Sequence, residues 1–252
     1  MKKRDVRLTS AAHREHFDAF YDAFRDAGGR EGWRSSETLR HWLEAAFLAV
    51  RGRTLVPGGA AWRKNEDEFL KAERRWREPE KTKADLARML GAAALALMAD
   101  PVDFVGPVFN EIAADAGMGQ FFTPHDVSLL IAKMTFGSTR ESVLDGKPYV
   151  TISEPACGVG GMILAACVAL RDAGVDPALE THWHAVDVDA RAFHACYLQL
   201  ALSDVSGVVH HRNTLALECW QEAITPAAIA FPKSFGATPP RKLATPEQLS
   251  LL

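Results

Sequence analysis

Glu154-Pro155-Ala156-Cys157-Gly158-Val159-Gly160-Gly161-Met162 is the stretch of this chain best suited to hold a ligand. Glycines at 158, 160 and 161 remove Cβ atoms, so the backbone turns sharply and a guest reaches the main chain. Pro148 to Ser153 before it is rich in β-branched and aromatic residues, and Ile163 to Leu170 after it is apolar with helical character. The expected order is strand, glycine turn, helix. A helix starting there presents unpaired N–H groups and a partial positive charge, which suits an anionic or nucleotide-like guest. A second strand is expected over His182-Trp183-His184-Ala185-Val186, ending at Asp187. An acidic residue at that place accepts hydrogen bonds from ribose hydroxyls in many nucleotide-binding α/β folds.

Other reactive side chains point to less. The cysteines at 157, 167, 196 and 219 lack C-x-x-C spacing, which argues against a zinc site and a disulfide framework. His182 and His184 share a strand face, but no third ligand stands at a recognisable spacing, so no metal site is expected. Asp189 suits the N-cap of a helix over Ala190 to Leu202. Thr123 suits a helix N-cap, with Pro124 at the first helical position and Asp126 completing a capping-box-like pair.

The order Gly-x-Gly-Gly behind Glu-Pro-Ala-Cys differs from the G-x-G-x-x-G of dinucleotide proteins. It resembles the S-adenosylmethionine loop of N6-adenine DNA methyltransferases, especially the methylation subunits of type I restriction-modification systems. Asp103-Phe104-Val105-Gly106 and Gly119-Gln120-Phe121-Phe122-Thr123-Pro124 are similar to that family's Asp-x-x-Gly and Gly-x-Phe/Tyr-Thr-Pro segments. The resemblance covers roughly residues 100 to 217. It implies a class I, Rossmann-like α/β methyltransferase fold, S-adenosylmethionine as cofactor, and DNA as the acceptor. It also implies a cofactor site of Phe122, Thr123, Glu154, Ala156, Cys157, Gly158, Gly160, Asp187 and Asn213. Thr123 is expected near the methionine carboxylate. Asn213 replaces the usual Asp that accepts from the adenine amino group, a role its side-chain oxygen can fill without the charge.

Adenine N6 methylation also calls for Asn/Asp-Pro-Pro-Tyr/Phe at the end of a fourth strand, to hold the exocyclic amine and stack on the flipped base. No such sequence occurs in the 252 residues. The nearest match is Thr238-Pro239-Pro240-Arg241, with Thr for Asn and Arg for the ring. The catalytic residues are therefore unassigned. Two expectations stand side by side: an adenine methyltransferase, and a cofactor-binding subunit or sensor that has lost transfer.

The supporting elements divide the chain into a helical module over 1–100, the cofactor domain over 101–217 and an irregular tail over 218–252. Phe17, Phe20, Tyr21 and Phe24 mark a helix over Ala11 to Ala27 that Gly28-Gly29 stops. A second helix spans about Ser36 to Val50. Another runs from Lys83 to Met98, buried at Leu86, Met89, Leu90, Leu95 and Leu97. Between them, Trp62-Arg63-Lys64 and Lys71 to Arg77 interleave basic and aromatic residues. That composition fits nucleic-acid contact, or a solvated helix whose tryptophans face the core.

Hydrophobic content of 48% and charged content of 24% are ordinary for a soluble protein, which excludes disorder throughout. The longest apolar run, Gly91 to Ala99, is too short to span a bilayer, and Met1-Lys2-Lys3-Arg4-Asp5 leads into no apolar signal core. A cytoplasmic protein without a membrane partner is expected. Residues 1–83 carry a net charge of +5 and residues 84–252 a net of −8, so phosphate contact is expected through the front. Only three strands, or four, are placed. The methyltransferase domain is thus expected to be incomplete at its carboxyl end, its sheet completed by a protein partner or a second copy.

Overall fold

The computed structural model describes residues 1–3, 6–116, 123–216 and 218–235. Six helices come first: α1 (His13–Glu31), α2 (Ser35–Gly52), α3 (Ala60–Glu73), α4 (Pro79–Ala99), α5 (Val105–Ala116) and α6 (His125–Thr135). After the short α7 (Arg140–Leu144), β1 (Val150–Glu154) is followed by α8 (Gly161–Asp172), β2 (Thr181–Asp187), α9 (Ala190–Leu202) and β3 (Gly207–Asn213). Then come β4 (Glu218–Ile224) and α10 (Pro226–Phe235). The α/β class with a helical front is the one read from the sequence.

The sheet order is β1-β2-β3-β4, with β1, β2 and β3 parallel and β4 antiparallel to β3. The segment from 218, expected to be irregular, therefore supplies a strand and a helix. β4 escapes pattern reading because among its residues only Ala223 is buried, so no apolar alternation marks it. It lies at the end of the sheet order, and Pro226 two residues after it begins α10. The Thr238-Pro239-Pro240-Arg241 segment lies outside the described residues.

The helical front and the sheet share one core. Phe104, fully buried just before α5, packs its ring against His13 and Phe20 at 5.4 Å and against Phe17 at 6.3 Å. Phe47 of α2 reaches Phe193 and Tyr197 of α9, each at 5.1 Å, and so ties the front to the sheet. Glu31, buried at the end of α1, accepts from the backbone N–H groups of Arg77 (2.7 Å) and Glu78 (3.2 Å) and from the Thr82 hydroxyl. Burial opposes its charge, but these donors outweigh burial and hold the carboxyl below its ordinary value.

Three local expectations are corrected. α1 does not stop at Gly28-Gly29 but ends at Gly32, which takes the left-handed conformation with φ 72°. Gly28 serves close packing instead, since a Cβ there would lie 2.8 Å from Thr38 Oγ1 of α2. Leu95 is 53% exposed, because the buried ladder of α4 runs through Met89, Ala93 and Ala96 and leaves residue 95 to one side. Thr123 does not cap α6: its N-cap is Pro124, with no side-chain hydrogen bond. α6 lies on α8 through Ser128 and Ala132, leaving Val127, Leu130, Ile131 and Met134 exposed.

The two sheet faces differ. Trp183 and Ala185 alternate with His182 and His184 along β2, and His210 of β3 lies beside His184, ring centroids 5.9 Å apart. All three rings are buried, with Phe231 of α10 at 5.4 Å from His182. No cluster of three metal-ligating side chains occurs among the described residues, and none of their helices is long and apolar enough to cross a membrane. Burial pushes His182 down to about 4, helped by His184, and pushes His184 down as well. Burial, then His184, pushes His210 to about 4 against the opposing charge of Glu222.

His182 and His210 take protons near pH 6.5 in the unfolded chain and only near pH 4 in the folded one, so stability is full above about pH 6.5 and is lost as pH falls toward 4. The urea midpoint should hold between pH 8 and 7 and drop between pH 6.5 and 5, above the carboxylate range. Equal midpoints at pH 7 and pH 5 would show that the rings carry no such cost.

Candidate cofactor site

β1 ends where the glycine turn begins, and Glu154 Oε1 accepts from the Ala156 N–H at 3.1 Å. The turn is then fastened to β2: the Cys157 N–H donates to the Val186 carbonyl at 2.9 Å and the Gly158 N–H to Asp187 Oδ2 at 2.8 Å. Gly158 and Gly160 have φ of 54° and 93°, the left-handed region that glycine enters without strain. A Cβ on Gly160 would also lie 3.2 Å from Cys196 Sγ of α9. From β3, the Thr214 hydroxyl donates to the Pro155 carbonyl at 3.1 Å. Three strand ends therefore converge on one turn, and α8 starts directly behind it.

Thr123, Glu154, Ala156, Cys157, Gly158 and Asp187 line one cavity of about 300 Å³, to which Val159, Gly161 and Met162 add their atoms. A larger cavity of about 670 Å³ shares Thr123 and carries Arg7, Thr9, Asp103, Asn110, Glu111, His125 and Asp126 among its lining. Gly160 lies outside the lining, under the turn against α9, where it permits the bend. Asn213 also lies outside it. Its Oδ1 accepts from the N–H groups of Leu215 and Ala216, each at 3.0 Å, so both lone pairs are committed to its own turn. The adenine-amino role expected for that oxygen is not available in this arrangement. Phe122 lies outside the described residues.

Asp187 holds its position by a second bond, Oδ1 accepting from the Asp189 N–H at 2.8 Å, and Asp189 caps α9 as its sequence position implies. Each oxygen of Asp187 keeps a lone pair for a guest hydroxyl. Cys157 is buried, and its hydrogen bond with Cys196, followed by burial, pushes the thiol well above its ordinary value. It is a small neutral wall and not a nucleophile. Two carboxylates, Glu154 and Asp187, thus face the cavity. A phosphate at the helix start would meet both charges, so the anionic guest suggested by the turn alone is disfavoured and a cationic nucleoside is favoured.

The family model described as N-6 DNA Methylase matches residues 108–236, just over half of the chain. The chain belongs to the N-6 DNA methylase family. The matched span reaches from α5 through α10, taking in β4 beyond the stretch where the resemblance was first visible. No curated protein matches it. One solved structure similar to this family member is a Listeria monocytogenes protein described as a class I S-adenosylmethionine-dependent methyltransferase. It has 17% identity and a TM-score of 0.40, with 79% of this chain and 52% of that chain covered. Another is a type I restriction-modification methyltransferase subunit from Streptococcus thermophilus, at 10% identity and TM-score 0.41, covering 77% and 56%. The chain spans about half the length of these two proteins.

Sequence reasoning left two positions without a role. Asp103 enters only as part of a motif and Gln199 not at all, although Gln199 donates to the Val159 carbonyl of the loop and to Asp103 Oδ1. The available signal was one amide inside the apolar run Ala195 to Leu202. In the basic and aromatic segment, Trp76 is 5% exposed and packs on Phe69, so it is a core ring and not a stacking platform. Arg75 pairs with Glu44, and Lys83 with Glu73 and Glu80.

Gly160→Ala should cost about 1–3 kcal/mol, since it adds a Cβ at φ 93° against Cys196. Gly29→Ala, in the last turn of α1 with open space around it, should instead stabilise by about 0.4–1 kcal/mol. Urea midpoints of the two variants check the contrast, and a shift of the same sign in both would refute it.

Proposed function

We propose that the cavity beside the glycine turn binds S-adenosylmethionine and that this family member serves methyl transfer to adenine in DNA. The observation that carries the reading is the pairing of two carboxylates with a side-chain-free helix start in one cavity. Asp187 suits ribose hydroxyls, the bare backbone at Gly158 lets the nucleoside lie against the main chain, and the negative lining suits a sulfonium. Thr123, shared with the larger cavity, borders the side on which the methionine part would lie. When bound, this cofactor supplies an electrophilic methyl group. The chain's own task is then to orient it and to shield its charge from water.

A second reading has its own support. The 252 residues contain no Asn/Asp-Pro-Pro-aromatic sequence, so the groups that would hold the exocyclic amine are not identified in this chain. On that reading the chain is a catalytically inactive cofactor-binding subunit or sensor that associates with DNA or a restriction-modification-like complex. A protein partner or second copy alongside the sheet, and DNA as the final substrate, belong to this proposal.

Calorimetry with S-adenosylmethionine and with a nicotinamide dinucleotide separates the site from an ordinary dinucleotide turn. S-adenosylmethionine should bind, and Asp187→Ala should weaken it about tenfold or more through loss of hydrogen bonds to a charged group. Binding of the dinucleotide alone would sink the proposal. Incubation with methyl-labelled cofactor and DNA then decides between the readings: label in DNA supports transfer by this chain, and binding without label supports the subunit.

A further inference from the structure

We infer that Gln199 is a positioning residue for the cofactor loop, joining it to the helical front so that the two move as one body. This rests on the cofactor reading of the cavity. The Gln199 side chain on α9 is fully buried and makes four hydrogen bonds. Its Nε2 donates to the Val159 carbonyl at 2.8 Å and to Asp103 Oδ1 at 2.9 Å. Its Oε1 accepts from the N–H groups of Phe104 (2.8 Å) and Val105 (3.1 Å). Two hydrogens and two lone pairs are the whole capacity of a primary amide, and all are used.

The partners sit at consequential places. Val159 belongs to the glycine turn and lines the cavity. Phe104 is the ring on which Phe17, Phe20 and His13 converge. Asp103 Oδ1 also accepts from the Gly106 N–H at 2.8 Å, and a Cβ on Gly161 would lie only 2.8 Å from Asp103 Oδ2. The carboxylate is thus wedged between the starts of α5 and α8. Displacing the turn away from α9 would break the Val159 bond and leave buried groups unpaired, a state folded proteins avoid. A guest that restrains the turn must therefore also restrain the start of α5, and the coupling is reciprocal.

Gln199→Glu keeps the oxygen that serves Phe104 and Val105 but sets a second oxygen against two acceptors, Val159 and Asp103. Burial and the neighbouring carboxylate raise the pKa of the introduced acid, and its protonated form restores one donor. In the full chain, S-adenosylmethionine affinity measured by calorimetry should fall about tenfold in Gln199→Glu at pH 8, and recover severalfold at pH 6 while the unsubstituted chain changes little. Equal affinity of the two at pH 8 overturns the coupling while leaving the cofactor reading intact. Absence of binding by the unsubstituted chain overturns both.

Amide exchange in the unsubstituted chain decides the matter even if the variant does not fold. Saturating S-adenosylmethionine should slow exchange at the Phe104 and Val105 amides, which do not line the cavity. Unaltered exchange there with cofactor bound overturns the inference.

Discussion

The candidate cavity depends on one fastening, the grip of the β2 end on the glycine turn. A turn with two residues in the left-handed region has little preference of its own for one conformation, because glycine loses much freedom on ordering. Asp187 and the Val186 carbonyl take up successive N–H groups of that turn and so convert a flexible link into a fixed wall. The same carboxylate accepts from the Asp189 N–H, which in turn begins α9. One side chain thereby sets the turn, the second crossover helix and the acceptors left for a guest.

Charge then narrows what the wall can hold. A glycine turn leading into a helix is common to many nucleotide sites, and its N–H groups alone favour an anion. Here Glu154 and Asp187 stand at the same opening, and Asp103 lies just beyond Gly161, where burial holds its carboxyl above the ordinary value despite bonds from Gln199 and Gly106. The adjoining cavity carries Arg7 together with the carboxylates of Asp103, Glu111 and Asp126. The opening at the turn is therefore lined by negative charge, which favours a guest carrying positive charge there.

The legible parts of the fold were those decided within a few residues. β1, the turn, α8 and the Asp189 cap of α9 follow from local residue types and were placed closely. Six of the proposed site residues meet at one cavity because motif and topology coincide there. The errors arose where the backbone path or a packing neighbour decides, and not the residue type. Gly28 looks like a helix stop but makes room for Thr38, and Thr123 has the chemistry of a cap while the backbone starts the helix later. Asn213 was read from its side chain alone, whereas the turn it begins consumes that side chain. β4 and Gln199 were invisible for a related reason, since an edge strand with one buried residue and a lone amide in an apolar helix reveal themselves only through their neighbours.

Gly160 and Cys196 share a space that holds one small side chain. The turn claims none of it, and the sulfur fills it from α9. The identity of residue 196 therefore matters for its bulk more than for its thiol: alanine or serine would leave the bend undisturbed, whereas a branched or aromatic residue would push from beneath. A residue buried in α9, outside the cavity lining, thus sets a limit on the shape of the candidate cavity, since the bend persists only while that residue stays small.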